Sequence, residues 1–152
     1  MIALATVDDL KQVADLGKQF YLKLHQADRF HFKAFLAAWT QYLATGFGLI
    51  VKRTSDHEVK EAVGMLFYDD PNDGAKSAAN VFWYVSDDES SLASGLVYDR
   101  LEKEVRARGT VRMFMSNLVG ERFEQVGNFL FHAGYVPVES HHRKDLWLKQ
   151  SL

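Results

Sequence analysis

The chain has 152 residues, the length of one ordinary domain, and 47% apolar with 13% aromatic residues is enough to build a core. With 25% charged residues and only two prolines, it is neither collagenous nor low-complexity nor disordered. The 18 basic and 20 acidic side chains leave a net charge of -2, which supplies no field for nucleic acid or an anionic membrane. The absence of cysteine excludes disulfides, thiolate metal sites, iron-sulfur ligation and a cysteine nucleophile.

The longest apolar runs, such as Phe47 to Val51, fall far short of the roughly 20 residues that cross a bilayer. The start carries Asp8 and Asp9 where a targeting segment would be basic, so a soluble cytoplasmic protein is expected. The basic clusters at Arg100 to Arg112 and His141 to Lys144 are too short and too mixed with acids to bind nucleic acid.

In chain order, Ile2 to Thr6 reads as a short strand. Thr6 then caps a helix with Asp8 and Asp9 in its first turn and Leu10, Val13, Leu16, Phe20 and Leu24 on one face. A second helix is expected from about Phe30 to Ala44, with Phe32, Phe35, Leu36, Trp39 and Leu43 on one side and Gly46 as its stop. The period then changes: Phe47 to Lys52 and Ala62 to Tyr68 are rich in β-formers, and the polar stretch Arg53 to Lys60 reads as their hairpin connection. Turn formers from Asp69 to Gly74 precede a third strand at Val81 to Val85. After Asp87 to Ser91 a helical stripe follows at Leu92, Leu96 or Val97, Leu101 and Val105, closing at Gly109. Val111 to Met115 forms another strand, Glu121 to Ala133 a helix, and Tyr135 to Val138 with Lys144 to Leu148 two final short strands.

The order is thus β-α-α-β-β-β-α-β-α-β-β, in one domain spanning residues 1–152. Strand, helix and strand in the middle demand a parallel crossover, whereas the flanking hairpins demand antiparallel pairs. An α/β fold with a central mixed sheet and helices on both faces is expected.

Several strings in this order carry a family resemblance over nearly the whole chain. They are Ala5-Thr6-Val7-Asp8-Asp9-Leu10, then Phe82-Trp83-Tyr84-Val85, then Arg106-Ala107-Arg108-Gly109, and finally Asn117 followed by the segment Asn128 to Val138. Together they resemble the GNAT superfamily of acyl-CoA-dependent N-acyltransferases. The stretch Glu139 to Leu146 is also similar to small GNAT-type proteins of bacteriophages.

The resemblance implies a cleft where Val81 to Val85 parts from Val111 to Met115, with the pantetheine arm of acetyl-CoA on the free backbone edge. It places the coenzyme A diphosphate over Glu89, Ser90, Ser91, Leu92, Ala93, Ser94 and Gly95, where helix-start amides and the helix dipole favour an anion. Val85 joins these as a backbone contact, Asn117 as a side-chain contact, and Phe131 as a neighbour of the pantetheine arm.

Two departures from the family pattern stand out. Glu89 and Leu92 occupy positions where a cation or amide and a glycine are usual, and Leu92 narrows the approach to the backbone. Leu130 stands where many members carry a tyrosine that protonates the leaving thiolate, and Val81 to Val85 holds no carboxylate to serve as base. Tyr84, Glu139 and His141 are the nearest substitutes at the acceptor site, and no catalytic residue is assigned. The expected function is transfer of an acetyl group to a primary amine, small molecule or protein, by direct attack. The alternative is a GNAT-shaped binding or assembly module that has lost catalysis. A homodimer stays open.

Other motifs have plainer readings. His141 and His142 are adjacent and would point to opposite faces of a strand, so they are not expected to share a metal with His132. Asp69 to Asn80 lacks two of the oxygen ligands of a calcium loop, and Gly46-Phe47-Gly48 precedes a strand and lacks the third glycine of a dinucleotide fingerprint. Asp87, Asp88 and Glu89 read as capping groups. Trp83 and Tyr84 lie on opposite faces of one strand, so at most one lines a cleft. Phe32, Phe35 and Trp39 read as core, and Tyr21, His25 and His31 as surface groups beside the acceptor end.

Overall fold

The computed structural model describes residues 1–86, 91–117 and 123–146, without the side chains of Ser91, Leu92 and Phe123. The chain divides into two compact units, Met1–Ser116 and Asn117–Leu152.

The first unit is built on a five-stranded sheet in the order β1 (Ile2–Leu4), β2 (Gly48–Ser55), β3 (Glu58–Asp69), β4 (Lys76–Val85) and β5 (Arg112–Phe114). Every neighbouring pair is antiparallel except β4 with β5, which run parallel. Two helices, α1 (Leu10–Lys23) and α2 (Phe32–Thr45), precede β2, and α3 (Ser91–Ala107) makes the crossover between the two parallel strands. This is the mixed α/β sheet that the strand–helix–strand pattern demanded.

The expected stripes become the two cores. Leu10, Val13 and Leu16 of α1 and Trp39 of α2 bury against Ile50, Ala62, Phe82 and Tyr84. On the other face, Val97, Leu101 and Val105 of α3 are fully buried while Leu96 is exposed, which decides between Leu96 and Val97. Leu49, Ile50 and Val51 are consecutive and all buried, as a strand covered on both faces must be. Each such side chain contributes about 1.5–3 kcal/mol on burial.

Three expectations change, the first being that the strand expected at Val81 to Val85 begins at Lys76, because Ser77, Ala78 and Ala79 pair with both β3 and β5. The connection expected over Arg53 to Lys60 shrinks to Asp56 and His57, both at positive φ, in the two-residue hairpin geometry that suits strand twist. The strands run on through Arg53 and Glu61 because those two residues are cross-strand partners, not loop. In the second unit, residues 135–138 and the described residues 144–146 form no strand; Trp147 and Leu148 lie outside the described residues. Pro137 removes a donor from the middle of the first run, and Val136 and Val138 are exposed, so that run has neither a ladder nor a buried face.

The second unit's α4 (Phe123–His132) ends where its sequence said it would. Gly134 sits at φ 94°, and the amides of Gly134 and Tyr135 donate back to Phe131 and Leu130 at 3.1 and 2.9 Å, closing the last turn. Among the described residues, no helix is long and apolar enough to cross a membrane.

Candidate functional site

The site begins with one extra residue. Gly64 and Met65 are adjacent on β3 but face Phe82 and Asn80 on β4, so Val81 is a bulge. The Asn80 side-chain amide donates to the carbonyls of Gly64 and Phe82 at 3.2 and 2.8 Å and holds the bulge from within. β5 pairs only with Ser77, Ala78 and Ala79, on the near side of the bulge. The parallel strands therefore part at Val81.

Beyond it, the far edge of β4 carries backbone groups that β3 does not use. The Ser86 amide donates to the Lys60 carbonyl at 2.8 Å, and antiparallel ladders alternate, so Trp83 and Val85 turn their N–H and C=O away from β3. The near end is pinned. The Arg112 guanidinium donates to Asp70 and Asp73 at 3.1 and 2.8 Å, and the Val111 amide to the Lys76 carbonyl at 2.9 Å.

On the face of α1 and α2, a cavity of about 290 Å³ opens beside the bulge, with Val81 on its lip. Its walls are the rings of Phe30, Phe35, Phe82 and Tyr84, and Tyr21, Arg29 and His31 line it as well. Phe82 and Tyr84 stack at 4.6 Å between centroids, as alternate residues of one strand do when they share a face. Gly17 makes room for the Phe30 and Tyr84 rings, both within 2.7 Å of where a Cβ would stand.

Tyr84 is 4% exposed. Burial pushes its phenol well above the ordinary value, the neighbouring Tyr21 hydroxyl pushes the same way, and the Arg29 charge only partly opposes them. Tyr84 is therefore a neutral hydroxyl. His31 caps α2 by accepting the Ala34 amide on Nδ1 at 3.1 Å, so the neutral ring carries its proton on Nε2.

The opposite face of the sheet holds a group that sequence reasoning passed over. Glu61 of β3 is fully buried, accepts the Trp83 indole N–H at 2.6 Å, and pairs with Arg53 at 3.2 Å. Trp83 lies parallel to Tyr98 of α3, which places it across the sheet from Tyr84. The signal was two opposite charges flanking a short turn, equally readable as a polar loop.

The sequence-assigned residues divide between the two units. Val85 is at the end of β4, and Ala93, Ser94 and Gly95 lie in the opening turns of α3, half-buried. Ser91 and Leu92 begin that helix, while Glu89 and Ser90 lie outside the described residues. In the second unit, Asn117 is half-buried and its Nδ2 is 3.4 Å from where a Cβ on Gly127 would stand; Phe131 is exposed on α4. Glu139 and His141 are both exposed and lie 3.4 Å apart. Tyr84 lines the aromatic cavity, as do Tyr21 and His31, whereas His25 does not.

Neither a protein-family model nor a curated protein sequence matches the chain. Solved structures do. One described as a probable acetyltransferase superposes with a TM-score of 0.75 at 14% identity, over 97% of each chain. A predicted acetyltransferase with acetyl-CoA from Clostridium acetobutylicum gives 0.73 at 13% identity over 96% of each. A GCN5-related N-acetyltransferase from Ralstonia eutropha gives 0.73 at 15% identity, over 95% of this chain and 97% of that one. The chain has the mixed α/β fold of the GNAT acetyltransferases.

Proposed function

We propose that the chain is an acetyl-CoA-dependent N-acetyltransferase acting on a primary amine. The observation that carries this reading is the parting of β4 from β5 at Val81, with the backbone groups of Trp83 and Val85 turned out of the ladder just ahead of α3. The amide-bearing arm of coenzyme A needs such groups. The start of the 17-residue α3 at Ser91 suits its diphosphate, and Glu89 and Ser90, which lie outside the described residues, are assigned by the resemblance. Gly95 faces open space, where an added Cβ would meet nothing within 4 Å. Asn117 and Phe131, which lie in the second unit, are assigned by the family resemblance alone.

Bound acetyl-CoA would supply an activated thioester, whose carbonyl carbon would take the bond from the amine nitrogen as the carbon–sulfur bond gave up the thiolate. The chain's own part is positioning, which alone supplies much of the barrier reduction. Tyr84 holds its proton and so is assigned as a hydrogen-bond donor in the cavity that Val81 also lines, not as a base. Water removes the ammonium proton.

A second reading, a GNAT-shaped binding module without catalysis, is favoured by Leu130, an apolar, buried side chain where the family's usual proton donor would be. One experiment separates the two: thermal unfolding with millimolar acetyl-CoA, beside thiol release across a panel of amines. The transferase reading requires both a saturable rise in Tm and amine-dependent release. A rise without release establishes the binding module, and no rise removes the cofactor from either account.

A further inference from the structure

The cavity beside the bulge carries a charge signature of its own. The Arg29 guanidinium meets the Gln26 side-chain carbonyl at 2.7 Å and the Tyr21 ring at 5.4 Å, and neither neutralises it. Among the described residues Arg29 has no carboxylate partner, and no carboxylate lines the cavity. Only one of its five N–H donors is spent on Gln26. His31, its Nδ1 committed to α2, adds a second donor through Nε2. The rest of the wall is aromatic, and the volume of about 290 Å³ is at the small end for ligand sites.

We propose that this cavity selects a small amine bearing one carboxylate on an apolar body, the chemistry of an aromatic amino acid, with the carboxylate on Arg29 and the body among Phe30, Phe35 and Phe82. The proposal rests on the transferase reading for its reaction but not for its binding. A guanidinium with free donors recognises a carboxylate by charge-assisted hydrogen bonds, and a flat apolar body stacks on rings. Polycationic acceptors such as polyamines bring a second positive charge to Arg29 and find no counter-charge in the cavity. Val81, where β4 and β5 part, lines the same cavity.

The test is calorimetric titration of phenylalanine, phenethylamine and spermidine into the protein, with and without acetyl-CoA, using wild type, Arg29→Gln and Arg29→Lys. Phenethylamine lacks only the carboxylate. Phenylalanine is expected to bind about 10- to 100-fold tighter than phenethylamine. Arg29→Gln abolishes that ratio, chiefly by weakening phenylalanine, while Arg29→Lys keeps most of it. Equal binding of the two, preference for spermidine, no binding of any at millimolar concentration, or an unchanged ratio in Arg29→Gln overturns the proposal. The wild-type comparison stands whatever the variants do. A carboxylate preference without acetyl-CoA binding keeps this inference and removes the transferase reading; acetyl-CoA binding with thiol release to amines lacking a carboxylate does the reverse.

Discussion

Trp83 and Glu61 are joined across two strands by a 2.6 Å hydrogen bond, and the backbone of that same Trp83 turns away from β3. The bond therefore ties the site's edge to a buried carboxylate, which Arg53 balances at 3.2 Å. Removing one member of a buried ion pair strands the other, at about 3–5 kcal/mol. Glu61→Leu is expected to lower stability by that amount in urea unfolding. The double variant Arg53→Leu with Glu61→Leu should lose much less, since an apolar replacement of both leaves no stranded charge. Equal losses in the single and double variants would show that the pair is not the source.

Asp9 gives the fold a pH dependence. Partial burial raises its carboxyl, but the Lys52 ammonium at 2.7 Å and the Thr6 amide at 2.8 Å outweigh that and hold it below the ordinary 3.8. A lowered carboxyl stabilises the folded state above its unfolded value, and the contribution disappears as pH falls through the folded value. Asp9→Asn should lose about 1–2 kcal/mol at neutral pH and show a smaller fall in stability than wild type on acidification. Parallel stability–pH curves for the two proteins would refute this assignment.

The parallel crossover was legible because a strand, an amphipathic helix and a second strand in succession leave few alternatives. The stripe Val97, Leu101 and Val105 and the stop at Gly134 were legible for the same local reason. What was not legible depends on register. Val81 becomes a bulge only because Gly64 and Met65 pair with its neighbours Phe82 and Asn80, and nothing in Val81-Phe82-Trp83 announces it. Arg53 read as loop, and Glu61 fell between that loop and the next expected strand, because the burial of each depends on the other across the hairpin. Tyr21, Arg29 and His31 come from the end of α1, the connection and the cap of α2, so their convergence on Tyr84 is a tertiary fact. The run Tyr135 to Val138 had strand composition without a partner to pair with.

Phe82 dictates Gly64. A Cβ at Gly64 would stand 2.2 Å from the Phe82 ring, which packs against Trp39 at 5.1 Å between centroids. Gly64→Ala must move that ring and is expected to cost about 1–3 kcal/mol. In combination with Phe82→Leu the alanine should cost clearly less than it does alone, a coupling that a double-mutant cycle of urea midpoints measures. Additive losses would mean that the backbone, not the ring, sets the requirement.

On the transferase reading, Tyr84 is the residue proposed to donate a hydrogen bond in the acceptor cavity. Its phenol is pushed above the ordinary 10.0, chiefly by burial, so across the whole working range of pH it is protonated and donates. A rise of rate with pH then belongs to the acceptor amine, whose neutral form attacks. Tyr84→Phe is expected to lower kcat by about 10- to 100-fold while leaving the shape of the pH profile and the binding of acetyl-CoA unchanged. The separation is informative because a merely structural loss would also shift the thermal midpoint, and the aromatic packing of Tyr84 with Phe82 survives in phenylalanine. If Tyr84→Phe flattened the alkaline limb, the phenol would have been the base, and its assignment as a neutral donor would fall.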